Sequence, residues 1–319
     1  MRSFILFLGY ACIPVLMFSS NNCKSKRCPA ACAGNNYKLV WQDEFNGNTL
    51  DEKNNWVVED NGSGNGNAEL QYYKRGNISV GIEPASGEKC MIITARKENY
   101  EGKVCTSGKI KTLGKMSFKH GMIEARIKMP HTANGLWPAF WMMGTDYSEV
   151  GWPRCGEIDI LEMGKNIGIN NGVQDRFMGG WCHWGEGWNN GSYPNWGKDS
   201  TMVNSMQDDF HLFTLTWDDH FLKMYVDLDK DPSNRPYMQM AIDGPDSAGN
   251  AACYFHKKFY VIFDLAVGGN FTQIWDIDKV TALNSQNNYE AQMYIDYVKV
   301  YQKGVDGEEY EGPSIINAK

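Results

Sequence analysis

The 319-residue sequence lacks most of what would make it a sulfur-ligated metalloprotein, a nucleic-acid binder or a helical protein. Its nine cysteines include no CxxC pair and no Cys/His cluster of zinc spacing, which argues against a metal held by thiolates. Positive charge is short: 31 Lys and Arg face 38 Asp and Glu, a formal net charge of −7 that disfavours nucleic acid and polyanions needing a basic groove. No long stretch keeps a 3.6-residue apolar period, so little helix is expected. Between Tyr37 and Gln302 there is no Pro/Ser-rich linker, repeat or low-complexity block, as in one large domain. The apolar run after Met1-Arg2-Ser3, "FILFLGYACIPVLMFSS", is too short and interrupted to span a bilayer and reads as an export signal over residues 1–22.

Cys23 follows that signal and is a candidate lipidation site, which would make the chain a bacterial surface or outer-membrane lipoprotein; plain secretion is the alternative. Residues 23–36 read as a tether, 37–302 as the folded domain and 303–319 as a polar, loosely held tail. With Cys12 removed and Cys23 lipidated, seven cysteines remain, an odd number, so disulfides do not organise the fold.

What is present is alternation bounded by Gly, Asn and Asp turns. "GMIEARIKM" sets Ile123, Ala125 and Ile127 against Glu124, Arg126 and Lys128, and "HLFTLTWDDHFLKMYVD" reads as two strands joined at Asp218–His220. Many such strands in a large domain indicate an all-β protein, a jelly-roll sandwich of two antiparallel sheets. Two Trp-rich segments, "NGLWPAFWMMG" and "MGGWCHWGEGWNNGSYPNW", bracket one acidic strand. The second holds too much Gly and Asn for core, so Trp181, Trp184 and Trp188 are read as exposed rings suited to sugar faces.

The acidic strand, "GEIDILE", places Glu157 and Asp159 on one face by the strand's period of two, while Glu162 has the wrong parity. A β-bulge at Ile160 or Leu161 would restore it and bend the strand. On a straight strand the backbones of 157 and 162 would lie about 13 Å apart, so only convergent side chains could cooperate. Two carboxyls about 5–5.5 Å apart perform retaining glycoside hydrolysis, one as nucleophile and one as acid/base. Three crowded carboxyls cannot all ionise, and at least one is held protonated.

Together with "WQDEF", "NAELQYY", "ITARKE", "GLWPAFWMMG", "LAVGGN" and "YIDYVKVYQ", this motif resembles family-16 glycoside hydrolases, in the laminarinase-like branch with the bulged E-x-D-x-x-E form. The resemblance implies a concanavalin A-like jelly roll with a concave cleft and endo-acting, retaining cleavage. It assigns Glu157 as nucleophile, Asp159 as its assistant and Glu162 as acid/base. It also suggests Asn67, Arg96, Trp137 and Trp141 as glycone-side contacts and His183 near the acid/base; Trp137 and Trp141 suit a core equally well, and Arg96 a strand edge. No catalytic cofactor is implied. A structural calcium is, at Glu44 and Asp296, although calcium takes several oxygens and an exposed acid at a strand end reads the same way. Asp264 departs from the Asn usual in relatives, and the long 166–197 segment is individual. The expected partner is a β-1,3 or mixed β-1,3/1,4-glucan bound by a monomer. Contact with a membrane would come only through the lipid anchor. A galactanase of agarase or porphyranase type and a non-catalytic glycan binder are the alternatives; Arg176 and Lys198 are the few basic residues near the loop for a sulfated chain.

Overall fold

The computed structural model describes residues 36–187, 193–231, 233, 235–244 and 250–314. The segments read as signal and tether, but for residue 36, together with Cys23 and Trp188, lie outside these. Among the described residues no helix is long and apolar enough to cross a membrane.

Two sheets of ten and nine strands pack face to face. The strand Gly121–Lys128 shows why the alternation forms sheet: Ile123, Ala125 and Ile127 enter the core at 0% exposure. Its outward face differs from the expected polar one. Glu124 is also buried, because this strand lies between His211–Trp217 and Glu290–Gln302 and receives the Tyr301 hydroxyl at 2.9 Å. Burial pushes its carboxyl up to about 7. The hairpin at 218–220 forms as expected, with Asp218 Oδ1 accepting from the backbone of His220 and Phe221.

The second sheet runs Asn195–Thr201, Phe177–His183, Glu157–Met163, Leu136–Gly144 and Phe259–Val267, then short strands at Lys109–Lys111 and Val57–Val58. Its inner face supplies the core, where Phe140 and Phe263 stack at 4.7 Å. Its outer face is the concave floor of a cleft. The fold is thus the jelly-roll sandwich expected.

The described part of the tail, residues 303–314, is not loose. Glu309–Glu311 pairs with Ser117–Lys119 and extends the second sheet. Glu308 holds the preceding turn by accepting from the backbone N–H groups of Lys303, Gly304 and Val305.

Candidate active site

The acid strand carries its bulge at Ile160. Against the strand 136–144, Phe140 faces Leu161 and Trp141 faces Asp159, so Ile160 is skipped. Against 177–183, Asp159 faces Trp181 and Glu162 faces Gly179, with Gly180 opposing two residues. The extra residue returns Glu162 to the face of Glu157 and Asp159. Tyr237, reaching across from the start of the other sheet's Met238–Ala241 strand, donates its hydroxyl to the Ile160 carbonyl. A Cβ on Gly180 would lie 2.8 Å from the Tyr237 ring, so glycine makes room for that contact.

The floor is acidic. Glu157 receives the Trp152 N–H at 2.9 Å, Glu162 receives the Trp137 N–H at 3.0 Å, and Asp159 is hydrogen-bonded to Glu157. Burial, then Asp159, pushes the Glu157 carboxyl up to about 8. Burial, then Asp264, raises Asp159 far above the ordinary range; burial, then Asp159, does the same for Glu162. Trp152 and His183 favour the Glu157 anion, and His183 and Trp137 the Glu162 anion, but burial and the crowding of the three carboxyls outweigh these contacts, so the cluster keeps protons at neutral pH.

His183 meets Asp159 and Glu157 rather than Glu162. Its Nε2 is 3.1 Å from Asp159 Oδ2 and 4.0 Å from Glu157 Oε1, because residue 183 pairs with 157 across the strands. Trp181 lies flat on the floor: its N–H donates to Asp199 at 3.0 Å, and a Cβ on Gly197 would lie 2.3 Å from its ring. Trp184, one residue past His183, turns inward instead and packs edge-on against Phe255 at 5.7 Å, a correction to its reading as an exposed ring.

Trp137 stacks on Phe271 at 4.4 Å, and Trp141 donates to Asp264 at 2.6 Å. Both stand on the cleft face, since Trp141 pairs with Asp159 and Ala139 with Glu162. Asn67 lies in a loop beside them, with Nδ2 3.5 Å from Glu69. Arg96 stands on the ten-stranded sheet and pairs with Glu290 at 2.7 Å and the Gly76 carbonyl at 3.2 Å.

Asp296 belongs to the ten-stranded sheet and Glu44 directly follows its Lys38–Asp43 strand, each with a basic partner. Lys299 Nζ is 2.9 Å from Glu44, and Arg126 is 2.8 Å from Asp296. Their oxygens are the hard donors calcium takes, but two carboxylates fall short of its six to eight ligands, and backbone carbonyls and water would supply the rest.

Several site residues escape sequence reasoning. Trp152 stands five positions before Glu157 and meets it across a turn. Tyr73 bridges Asp264 at 3.0 Å and Glu69 at 3.2 Å, and Lys109 sits 4.7 Å above the Trp141 ring. Burial pushes Asp264 up to about 6 while Lys109 opposes the rise. Only the unusual Asp at 264 was visible in the sequence as a signal.

A half-buried Glu157 and a buried Glu162 on one face of a bulged strand, with Asp159 between them and tryptophans beside them, define a glycosidase on a jelly-roll sandwich. The model for "Glycosyl hydrolases family 16" matches residues 50–233, and the chain belongs to that family. A "Beta-glucanase" of Rhodothermus marinus is 32% identical over 268 residues, 83% of this chain and 85% of its own. The GH16 protein of the Bacteroides ovatus mixed linkage glucan PUL, solved with a G4G4G3G product, is 38% identical with a TM-score of 0.69, over 82% of this chain and 99% of that one. The "Clotting factor G alpha subunit" of Tachypleus tridentatus is 34% identical across 83% of this chain, which spans only 34% of that protein's length.

Proposed function

We propose that the protein is an exported, retaining endo-β-glucanase that cleaves β-1,3 and mixed β-1,3/1,4-glucans. The observation that carries this reading is the Ile160 bulge, which sets Glu162 on the same face as Glu157 with Asp159 between them. Glu157 attacks the anomeric carbon while Glu162 gives its proton to the departing oxygen. The glycosyl ester is then hydrolysed by water that Glu162 deprotonates, returning both groups to their starting states. Asp159, hydrogen-bonded to Glu157 and beside His183, holds the proton that keeps two close carboxyls from repelling each other.

A neutral polymer suits the floor. Glu69, Asp199 and Asp264 add carboxylates to the triad and outnumber the cleft cations, Lys109 above Trp141 and Lys165 paired with Asp199 at 2.7 Å, so a sulfated galactan would meet repulsion. A pure binder has no use for three crowded carboxyls. The decisive experiment digests laminarin, barley β-glucan, lichenan, agarose and porphyran, with proton NMR of the earliest products. β-Anomeric oligosaccharides from the glucans are expected; cleavage of porphyran alone, or early α-anomer, overturns the reading.

A calcium at Glu44 and Asp296 would be structural, since Asp296 stands on the sheet opposite the cleft and Glu44 directly follows that sheet's Lys38–Asp43 strand. EDTA would then lower the melting temperature and leave the initial rate at 25 °C unchanged. Export, with lipid at Cys23, rests on the N-terminal composition alone and is tested by palmitate labelling of wild type and Cys23→Ala.

A further inference from the structure

The loop that follows the Phe259–Val267 strand carries an aromatic ring that the acid triad does not use. Trp275 is 56% exposed, yet its ring is fixed, with Nε1 donating to Asn270 Oδ1 at 3.2 Å. Asn270 donates its own backbone N–H to the Asn67 carbonyl at 2.8 Å. The loop is built tight. Gly269 donates to the Ile274 carbonyl at 2.7 Å, and at φ +83° it approaches so closely that a Cβ would lie 2.6 Å from the Asn67 oxygen. On the other side of the loop Phe271 stacks on Trp137, which donates to Glu162. One braced segment therefore links Trp275 both to the Asn67 loop and to the acid/base.

An indole whose only polar atom is already bonded offers solvent nothing but apolar surface, which suits the C–H face of a pyranose. Pre-fixing the ring also removes the entropy cost of ordering it on binding. Trp196, 57% exposed, makes a useful contrast. It pairs with Cys182 on the core side of an edge strand and donates to the Gln239 carbonyl, so it faces away from the cleft.

We propose that Trp275 is a sugar-stacking platform that extends the cleft past Asn67 and adds a distal subsite for a neutral β-glucan chain. This rests on the glucanase reading above. The test compares wild type with Trp275→Ala and Trp275→Phe on the β-glucan polymer the wild type cleaves best, and on the shortest oligosaccharide it cleaves. For Trp275→Ala the expected result is a KM for polymer raised about 3- to 10-fold with kcat kept, a shifted size distribution of early products, and no change on the short substrate. Trp275→Phe should recover most of the loss. An unaltered polymer KM and product pattern, or an equal loss on the shortest substrate, overturns the platform. No β-glucan cleavage by the wild type overturns the glucanase reading first, so the two failures are distinct.

Discussion

At the scale of single residues, the triad's chemistry follows from burial more than from geometry alone. Glu157 has a folded pKa of about 8 against an ordinary value near 4.5. A raised carboxyl stabilises the fold fully below the unfolded pKa and loses that contribution as pH rises through the folded one. Glu157→Gln mimics the protonated form at every pH. Its melting temperature should match wild type at pH 4.5 and exceed it by several degrees at pH 8, while hydrolysis is lost. Equal melting temperatures at pH 8 would show that Glu157 carries no such strain. Glu162→Gln should cost about 10²–10⁴-fold in rate. Glu157 and Asp159 were legible from parity, because i and i+2 share a face on any strand. Trp152 was not, because its contact with Glu157 depends on how the turn at 152–156 folds back. His183 was legible as a neighbour but not by partner, since register decides whether it meets 159 or 162.

At the scale of the element, the bulge was legible and its support was not. Three acids and the aliphatic residues between them demanded an extra residue somewhere in Ile160-Leu161, and Ile160 is the one displaced from the ladder. Nothing in the sequence says that the displaced carbonyl is capped from the other sheet by Tyr237. Tyr237→Phe leaves that carbonyl buried without its donor, a cost of about 1–3 kcal/mol. Glu162 lies two residues further on, so kcat should fall with KM little changed, and Tyr237→Phe should lose more activity than its modest drop in melting temperature explains. Inserting alanine after Leu161 is the stronger parity test, because it turns Glu162 from the cleft. Near-normal turnover by that insertion variant would remove the bulge from the account of catalysis.

At the scale of the whole molecule, the sandwich of two sheets was legible because strand alternation constrains it. The C-terminal boundary was not. "KGVDGEEYEGP" is polar, and polarity signals exposure, but a sheet edge needs only backbone groups and one good side chain. Tyr310 supplies that side chain, packing against the core while its hydroxyl donates to the Pro313 carbonyl at 2.7 Å. Gln302 ties strand to tail by donating to the carbonyls of His120 and Glu309, both at 2.9 Å. Lys119 and Lys258 add ion pairs to Glu309 and Glu311, exposed enough to contribute little. Ending the chain after Lys303 would uncover the 117–119 strand and the apolar surface beneath Tyr310, about 1–3 kcal/mol of burial. For a domain of this size that is a melting temperature lower by about 2–10 °C. The edge pairs with Phe259, and two strands, 259–267 and 136–144, separate it from the strand that carries the triad, so turnover below the transition should match the full chain. An unchanged melting temperature would return the tail to the loose segment its composition suggests, whereas a loss of turnover would mean that this edge holds the cleft in shape.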